Sequence, residues 1–455
     1  MRKKKILKIL FICISIIALV TLTGCSKTKQ SEEKQNEGVS ENNKSESNTE
    51  NENVTYLKID RTENFDGETA VVSETVNFSP VNYVIDKDFN VLCSYTDNST
   101  YIDGFMQIED SKNKKTNVVD VNGNVVFSYE DFEYKNVELV DDGCLIVTKQ
   151  VDTYNSANIT TGIYSLKDKK YVLEPNEKYV NAIRTYGDDM LIIDDSNTEF
   201  FNLKTKSIVK YSERVDREFK DGYSVDQDYD DNGFYLKVFD DNGNVKEIKS
   251  LFGDIDDIQY SANGMLFSAG LKIENVNLQE KITGCNIQVF NYEEGSVIDL
   301  SSKFYMVANR PVFTKDGYAL ISFENQGDTP YYTIIDKKGN FMFEPQKINE
   351  NMAFQGDVNN ETRKLVSGDL QEGNYFIVTD DGKYAVVDKD NNVVLTADEN
   401  EEFEGITNNT VEVKCKEPGK YDEYYYKDFS GNKKGIKLQG DIKKINDWLF
   451  EKQNW

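Results

Sequence analysis

The chain contains no histidine in 455 residues. With histidine goes the commonest general base at neutral pH. Ser-His-Asp and Cys-His hydrolases and histidine-ligated zinc or iron are therefore excluded, while carboxylate-only chemistry of the glycosidase kind survives. Glycine-rich phosphate loops, a Walker-type lysine and a nucleophile elbow are also missing. Basic charge is scarce, with 53 Lys and Arg against 80 Asp and Glu. No basic stripe offsets that field, so nucleic acid is not an expected partner. Cys93, Cys144, Cys285 and Cys415 stand far apart in apolar runs with no C-x-x-C pair. They read as buried small hydrophobes rather than zinc ligands, and disulfide pairing stays open.

Long apolar runs are absent except for one at the start. Arg2, Lys3, Lys4, Lys5 and Lys8 precede an apolar stretch from Ile9 to Val20. That stretch is shorter than the roughly 20 residues a retained membrane helix needs and fits an exported, cleaved signal over residues 1–24. It ends in Leu22-Thr23-Gly24-Cys25, which resembles the bacterial lipobox. The resemblance implies cleavage before Cys25, a lipidated Cys25 thiol, and an anchor on the outer face of the cell membrane. Residues 26–53 carry Val39 as their only aliphatic side chain. Such a segment cannot bury enough apolar surface to order itself, so residues 25–54 read as an acidic, polar tether reaching about 30 Å.

The rest is periodic. DVNGNVVF, from Asp120 to Phe127, looks at first like a metal loop, yet its Asp-x-x-x-Asn spacing recurs at Asp86, Asp240, Asp336, Asp388 and Asp428. Each copy follows one short strand-like run and most precede another. Weaker equivalents occur at Ser165 to Lys169, Asn202 to Lys206 and Asn291 to Gly295, making nine hairpins with a mean period near 43 residues. Asp accepts from backbone N–H groups two residues on, and residues such as Gly123 or Asn392 suit the left-handed conformation of short hairpins. A second mark precedes each hairpin: Asp66-Gly67, Asp103-Gly104, Asp142-Gly143, Asp188-Asp189, Asp221-Gly222, Asn263-Gly264, Asp316-Gly317, Glu372-Gly373 and Asn408-Asn409. Each unit thus holds at least three strands and has room for a fourth.

The copy from Asp381 to Val394, DGKYAVVDKDNNVV, resembles the WG repeat of bacterial proteins. It departs where Tyr384-Ala385 replaces Trp-Gly, and Trp448 and Trp455 lie outside any repeat. The resemblance implies a binding or interaction scaffold with no agreed enzymatic activity. Such a unit cannot bury its apolar face alone, so neighbours must stack. The expected fold of residues 55–440 is all-β, built from antiparallel units of three or four strands as a β-propeller, with an open array as the alternative. Nine units exceed the usual four to eight blades, which leaves open whether two units merge, the array divides, or it stays unclosed.

In residues 441–455, Ile442, Ile445 and Leu449 have helical spacing behind Asp441 as N-cap. The alternative is a last strand. Asp228, Asp230 and Asn232 open like a calcium loop, but the ninth and twelfth positions are Leu236 and Phe239. Calcium is the one cofactor this pattern suggests, against a solvated acidic hairpin tip. The run YDEYYY, Tyr421 to Tyr426, reads as a sugar- or peptide-stacking platform or as ordinary strand residues. The expectation is a membrane-anchored, extracytoplasmic, non-catalytic binding module with a protein or cell-wall ligand. The alternative is a carboxylate-based hydrolase resembling a propeller glycosidase.

Overall fold

The structure, a computed structural model, describes residues 55–438 apart from 58, 63–64, 66, 77–78, 97–98, 111–113, 131–133, 151–158, 195, 256–257, 277–278, 326–329, 348–363, 381 and 417–421. Cys25, the signal, the tether, Tyr421 and the 441–455 segment lie outside the described residues.

Nine small antiparallel sheets form a nine-bladed β-propeller. In chain order the blades occupy 69–96, 99–130, 134–176, 184–210, 223–249, 265–299, 306–347, 364–396 and 401–434. No two units merge. Within each blade consecutive strands are neighbours, the meander expected of hairpin-linked runs. Among the described residues six blades have four strands. Blades 1, 5 and 6 have three, their first strand reduced to a single bridge at Arg61–Ser73, Lys220–Tyr223 or Ala262–Met265.

The strand runs look apolar rather than alternating because middle strands are covered on both faces. Cys144 to Val147 and Ala319 to Phe323 are buried without interruption. The apolar side chains sort into nine clusters, one between each pair of successive blades, and burial there drives stacking. Cys93, Cys144 and Cys285 are buried in these wedges and Cys415 is half-buried, and none of the four is joined in a disulfide. Burial pushes the Cys93 thiol up to about 12, so it behaves as a small apolar group.

The Asp-x-x-x-Asn marks are hairpin turns. In each, the Asp carboxylate accepts the N–H groups two and four residues on, and the Asn amide returns to the same carboxylate. The left-handed residue is the fourth of the five: Phe89, Gly123, Gly243, Gly339, Asn391 or Gly431, with φ between 64° and 92°. Asn391 rather than Asn392 therefore takes the strained conformation, and Asn392 supplies the amide. The weaker copies have equal length but another geometry: Ser165, Asn202 and Asn291 cap the residue three on, and positive φ falls one place later, at Lys169, Lys206 and Gly295.

Asp336 illustrates the energetics. Its carboxylate takes the Lys338 and Asn340 N–H groups at 2.8 Å each and the Asn340 amide at 2.9 Å. Burial pushes its carboxyl up, but the bonds from Asn340 and Lys338 outweigh burial and leave it below the usual range. A depressed value means stabilisation present above the unfolded Asp value of about 3.9 and lost as pH falls further. Asp336→Ala should cost about 1–2 kcal/mol at pH 7 in urea unfolding, with the gap to wild type narrowing as pH falls below about 4.

The Asp-Gly marks are the turns between first and second strands. Asp103-Gly104, Asp142-Gly143, Asp221-Gly222, Asn263-Gly264 and Asn408-Asn409 have positive φ at both residues, as a type I′ hairpin requires. At Gly187, φ is 83° and an added Cβ would overlap the Phe219 backbone, because the first strand of blade 5 bridges directly to Gly187. Gly187→Ala should cost about 2–5 kcal/mol from overpacking and left-handed strain. A thermal melt within a degree of wild type would refute that close approach.

The ring is closed by its two ends. Thr55–Tyr56 pairs antiparallel with Lys437–Leu438, and Ile59 bridges Tyr424 on the edge left bare by the short last strand Lys433–Lys434. Behind this clasp Ile59, Ala70, Val72, Ile85, Phe89, Tyr426 and Ile436 form the blade 9 to blade 1 wedge. In blade 6 the hairpin Met265–Val276 and Gln279–Asn291 extends well beyond its third partner strand and exposes Leu271, Ile273 and Ile282.

Candidate functional site

First and third strands of a meander run the same way, so the Asp-Gly turns and the Asp-x-x-x-Asn turns share one face of the ring. Backbone bonds tie the two sets together, as at Asp241 N–H to Gly222 O, and the weaker turns do the same at Leu166 N–H to Gly143 O and Tyr292 N–H to Gly264 O. The Asp-Gly turns also bond from blade to blade, which places them on the inner rim. The Asp103 carboxylate accepts the Asp142 N–H, Asp188 that of Asp221 at 3.2 Å, and Asp221 that of Asn263 at 3.0 Å. Asp316 accepts the Asn374 amide at 2.7 Å and Glu372 the Asn408 N–H at 2.7 Å. The Asn408 side chain then donates to Lys87 O in blade 1 at 2.9 Å. These carboxylates are stitching, not free ligands.

Asp228 and Asp230 lie two residues apart on Tyr223–Asp230, with Asn232 in the following turn. Tyr235 donates to Asp228 at 3.1 Å, with Lys237 at 3.6 Å, and Asn232 donates to Asp230 through its backbone at 2.7 Å and its amide at 3.2 Å. The geometry is thus that of a hairpin tip with its oxygens engaged. Among the described residues no group of three His, Cys, Asp or Glu side chains is arranged to hold a metal ion.

Two cavities stand out. The smaller, about 390 Å³, is lined by Phe65, Gln371, Glu372, Glu404, Thr407 and Glu412. Glu404 is the extra residue of a bulge opposite Glu412, and Glu412 is only 8% exposed. The larger, about 980 Å³, lies at the seam where blades 9 and 1 meet. Its walls are the turn Lys87–Asn90, the turn Asn408–Thr410, the strand segment Glu423–Tyr425 and the clasp residues Leu57, Ile59 and Lys433 to Lys437.

The short last strand of blade 9 leaves this seam open, and among the described residues the clasp segments around Leu57 and Ile59 and from Lys433 to Lys437 line it without filling it. Tyr424 and Tyr426 turn toward the seam wedge while Tyr425 turns into the blade 8 to blade 9 wedge, where it donates to Glu401. Strand alternation therefore splits the tyrosine run between two faces. Lys434 sits 2.9 Å from Asp428, and its hydrogen bond, with those from Asn432, holds the Asp428 carboxyl down at about 2. Lys433 pairs with Glu423 and lies 4.0 Å from the Tyr425 ring centre. The sequence reading missed this pocket. Its visible trace was the lysine-dense stretch NKKGIKL after the tyrosine run, a basic spot in an acidic chain.

Fold and site together define a β-propeller with a large cavity at the seam where its ring closes. No protein-family model matches the chain, and no curated protein does either. Solved structures do match. One, from a structural and mechanistic analysis of two prolyl endopeptidases, has a TM-score of 0.27 and 11% identity over 74% of this chain and 55% of that one. TolB from Acinetobacter baumannii has a TM-score of 0.18 and 12% identity over 60% of this chain and 61% of its own. The chain thus spans less than two thirds of either protein, and likeness at this level carries no argument about activity.

Proposed function

We propose that the protein is a surface-tethered binding module that holds a ligand in the seam pocket. In this reading Cys25 carries the lipid, residues 25–54 form the tether on the outer face of the membrane, and WG-like repeats build the ring. The observation that carries the binding role is the 980 Å³ cavity at the seam, within the size range of ligand sites, lined by mixed apolar and polar groups on rigid turns. The soluble form, residues 26–455, should be retained by cell-wall fragments or a secreted protein, and Tyr424→Ala with Lys434→Glu should abolish retention. Retention of nothing, or equal retention of the variant, would defeat the reading. Labelled palmitate should enter the full chain and not Cys25→Ser.

A second reading, a carboxylate hydrolase, draws on Glu412 beside Glu404 in the smaller cavity. Turnover of a chromogenic glycoside that vanishes in Glu412→Gln would establish it in place of the first.

A further inference from the structure

We propose that the ligand of the seam pocket is an anionic glycan, a short oligosaccharide bearing ring carboxylates. This inference rests on the binding reading above and names the chemistry of that same site.

The chain has a formal net charge of −27, yet this pocket is lined by Lys87, Lys433, Lys434 and Lys437 against Asp88, Glu423 and Asp428. Four ammonium groups against three carboxylates make it a cationic spot in an acidic chain. Lys87, Lys433 and Lys434 pair with Glu68, Glu423 and Asp428, but each lysine side chain stays between 41% and 49% exposed. Exposed pairs of this kind are worth little to stability, so a ligand carboxylate can share their ammonium groups cheaply. Lys437 has no carboxylate partner among the described residues. Its backbone N–H is fixed to Phe89 O at 2.9 Å, which pins the clasp across the seam.

Lysine ammoniums act as separate point charges, unlike the planar fork by which arginine grips a phosphate, and no arginine lines this pocket. Dispersed single carboxylates on a chain of rings match that arrangement better than a phosphate cluster. Half-buried Tyr424 offers an apolar face for a sugar ring, backed by the buried Phe89 and Ile59, and Asn90, Asn409 and Thr410 add neutral hydrogen-bonding groups at the rim. The volume accommodates an oligomer rather than one sugar. An acidic peptide would instead seek a free strand edge, and the exposed edge of Glu423–Asp428 is already taken in part by Ile59, Lys433 and Lys434.

Calorimetric titration of residues 26–455 with trigalacturonate, maltotriose and hexaglutamate tests this, alongside retention by wall fragments. Trigalacturonate should bind, maltotriose at least about tenfold more weakly, and hexaglutamate no better than maltotriose. The double variant Lys434→Gln with Lys437→Gln should lose about tenfold or more in affinity for trigalacturonate with an unchanged melting temperature. Equal binding of maltotriose, preference for hexaglutamate, or full affinity in the double variant overturns the glycan assignment. Failure of trigalacturonate with wall fragments still retained removes this ligand class and leaves the binding reading standing. Failure of both removes the two together.

Discussion

Tyr426→Ala should destabilise the ring by about 3–5 kcal/mol, the range for emptying a large aromatic site in a packed core. Tyr426 is fully buried, with its ring centre 5.0 Å from Phe89 and 6.2 Å from Phe65, so one side chain of blade 9 packs against residues more than 300 positions earlier. The loss acts on the wedge that joins the first and last blades among the described residues. Urea unfolding should show a lower midpoint and, if opening the seam uncouples terminal blades from the rest, a smaller slope. Native-state hydrogen exchange should rise in blades 1 and 9 together. A loss under about 1 kcal/mol, the scale of an average substitution, would mean the seam does not hold the ring shut.

The second large effect lies in blade 9. Lys427, 5% exposed, places its ammonium 2.8 Å from Glu401 and 2.6 Å from Asp398, and Tyr425 donates to Glu401 as well. Lys427→Met would strand Glu401 as a buried uncompensated carboxylate, at a cost of about 3–5 kcal/mol. Lys427→Met with Glu401→Leu should recover most of that, because apolar replacement of a whole buried pair is often neutral. If the double variant is no better than the single, packing rather than charge accounts for the loss. Burial pulls the Lys427 ammonium down, but hydrogen bonds to Asp398 and Glu401 outweigh burial and hold it above the ordinary lysine value. A raised value means a contribution intact below the unfolded pKa of about 10.4 and lost only as pH climbs through the folded one. Urea midpoints for wild type and Lys427→Met should keep a constant gap from neutrality to about pH 10 and converge above it.

Much of the architecture was legible because each turn is a local event. Asp120 and Asn124 bond within five residues, so DVNGNVVF announces a hairpin without knowing its neighbours. The same holds for Asp103-Gly104, whose positive φ values belong to the turn itself. Sequence spacing did not reveal which residue takes the left-handed position, since Phe89 and Asn391 occupy it as well as glycine. Nor did it show that blades 1, 5 and 6 have first strands reduced to one bridge, because that depends on how the inner rim packs. The seam pocket was illegible for a stronger reason. Ile59 meets Tyr424, and Lys437 meets Phe89, across nearly the whole chain, and nothing in either local sequence encodes the partner.

The clasp also has a mechanical side. Thr55 and Tyr56 pair with Leu438 and Lys437 over only two residues, and Thr55 is the outermost of them. A pull on the N-terminal end of Thr55 would load that ladder one pair at a time, peeling it rather than shearing it. The blades, held by ladders of up to twelve pairs and by their wedges, would feel the load only afterwards. Under such a pull the clasp is the first ladder loaded, and a ligand bridging Lys437 and the Lys87 turn would reinforce it.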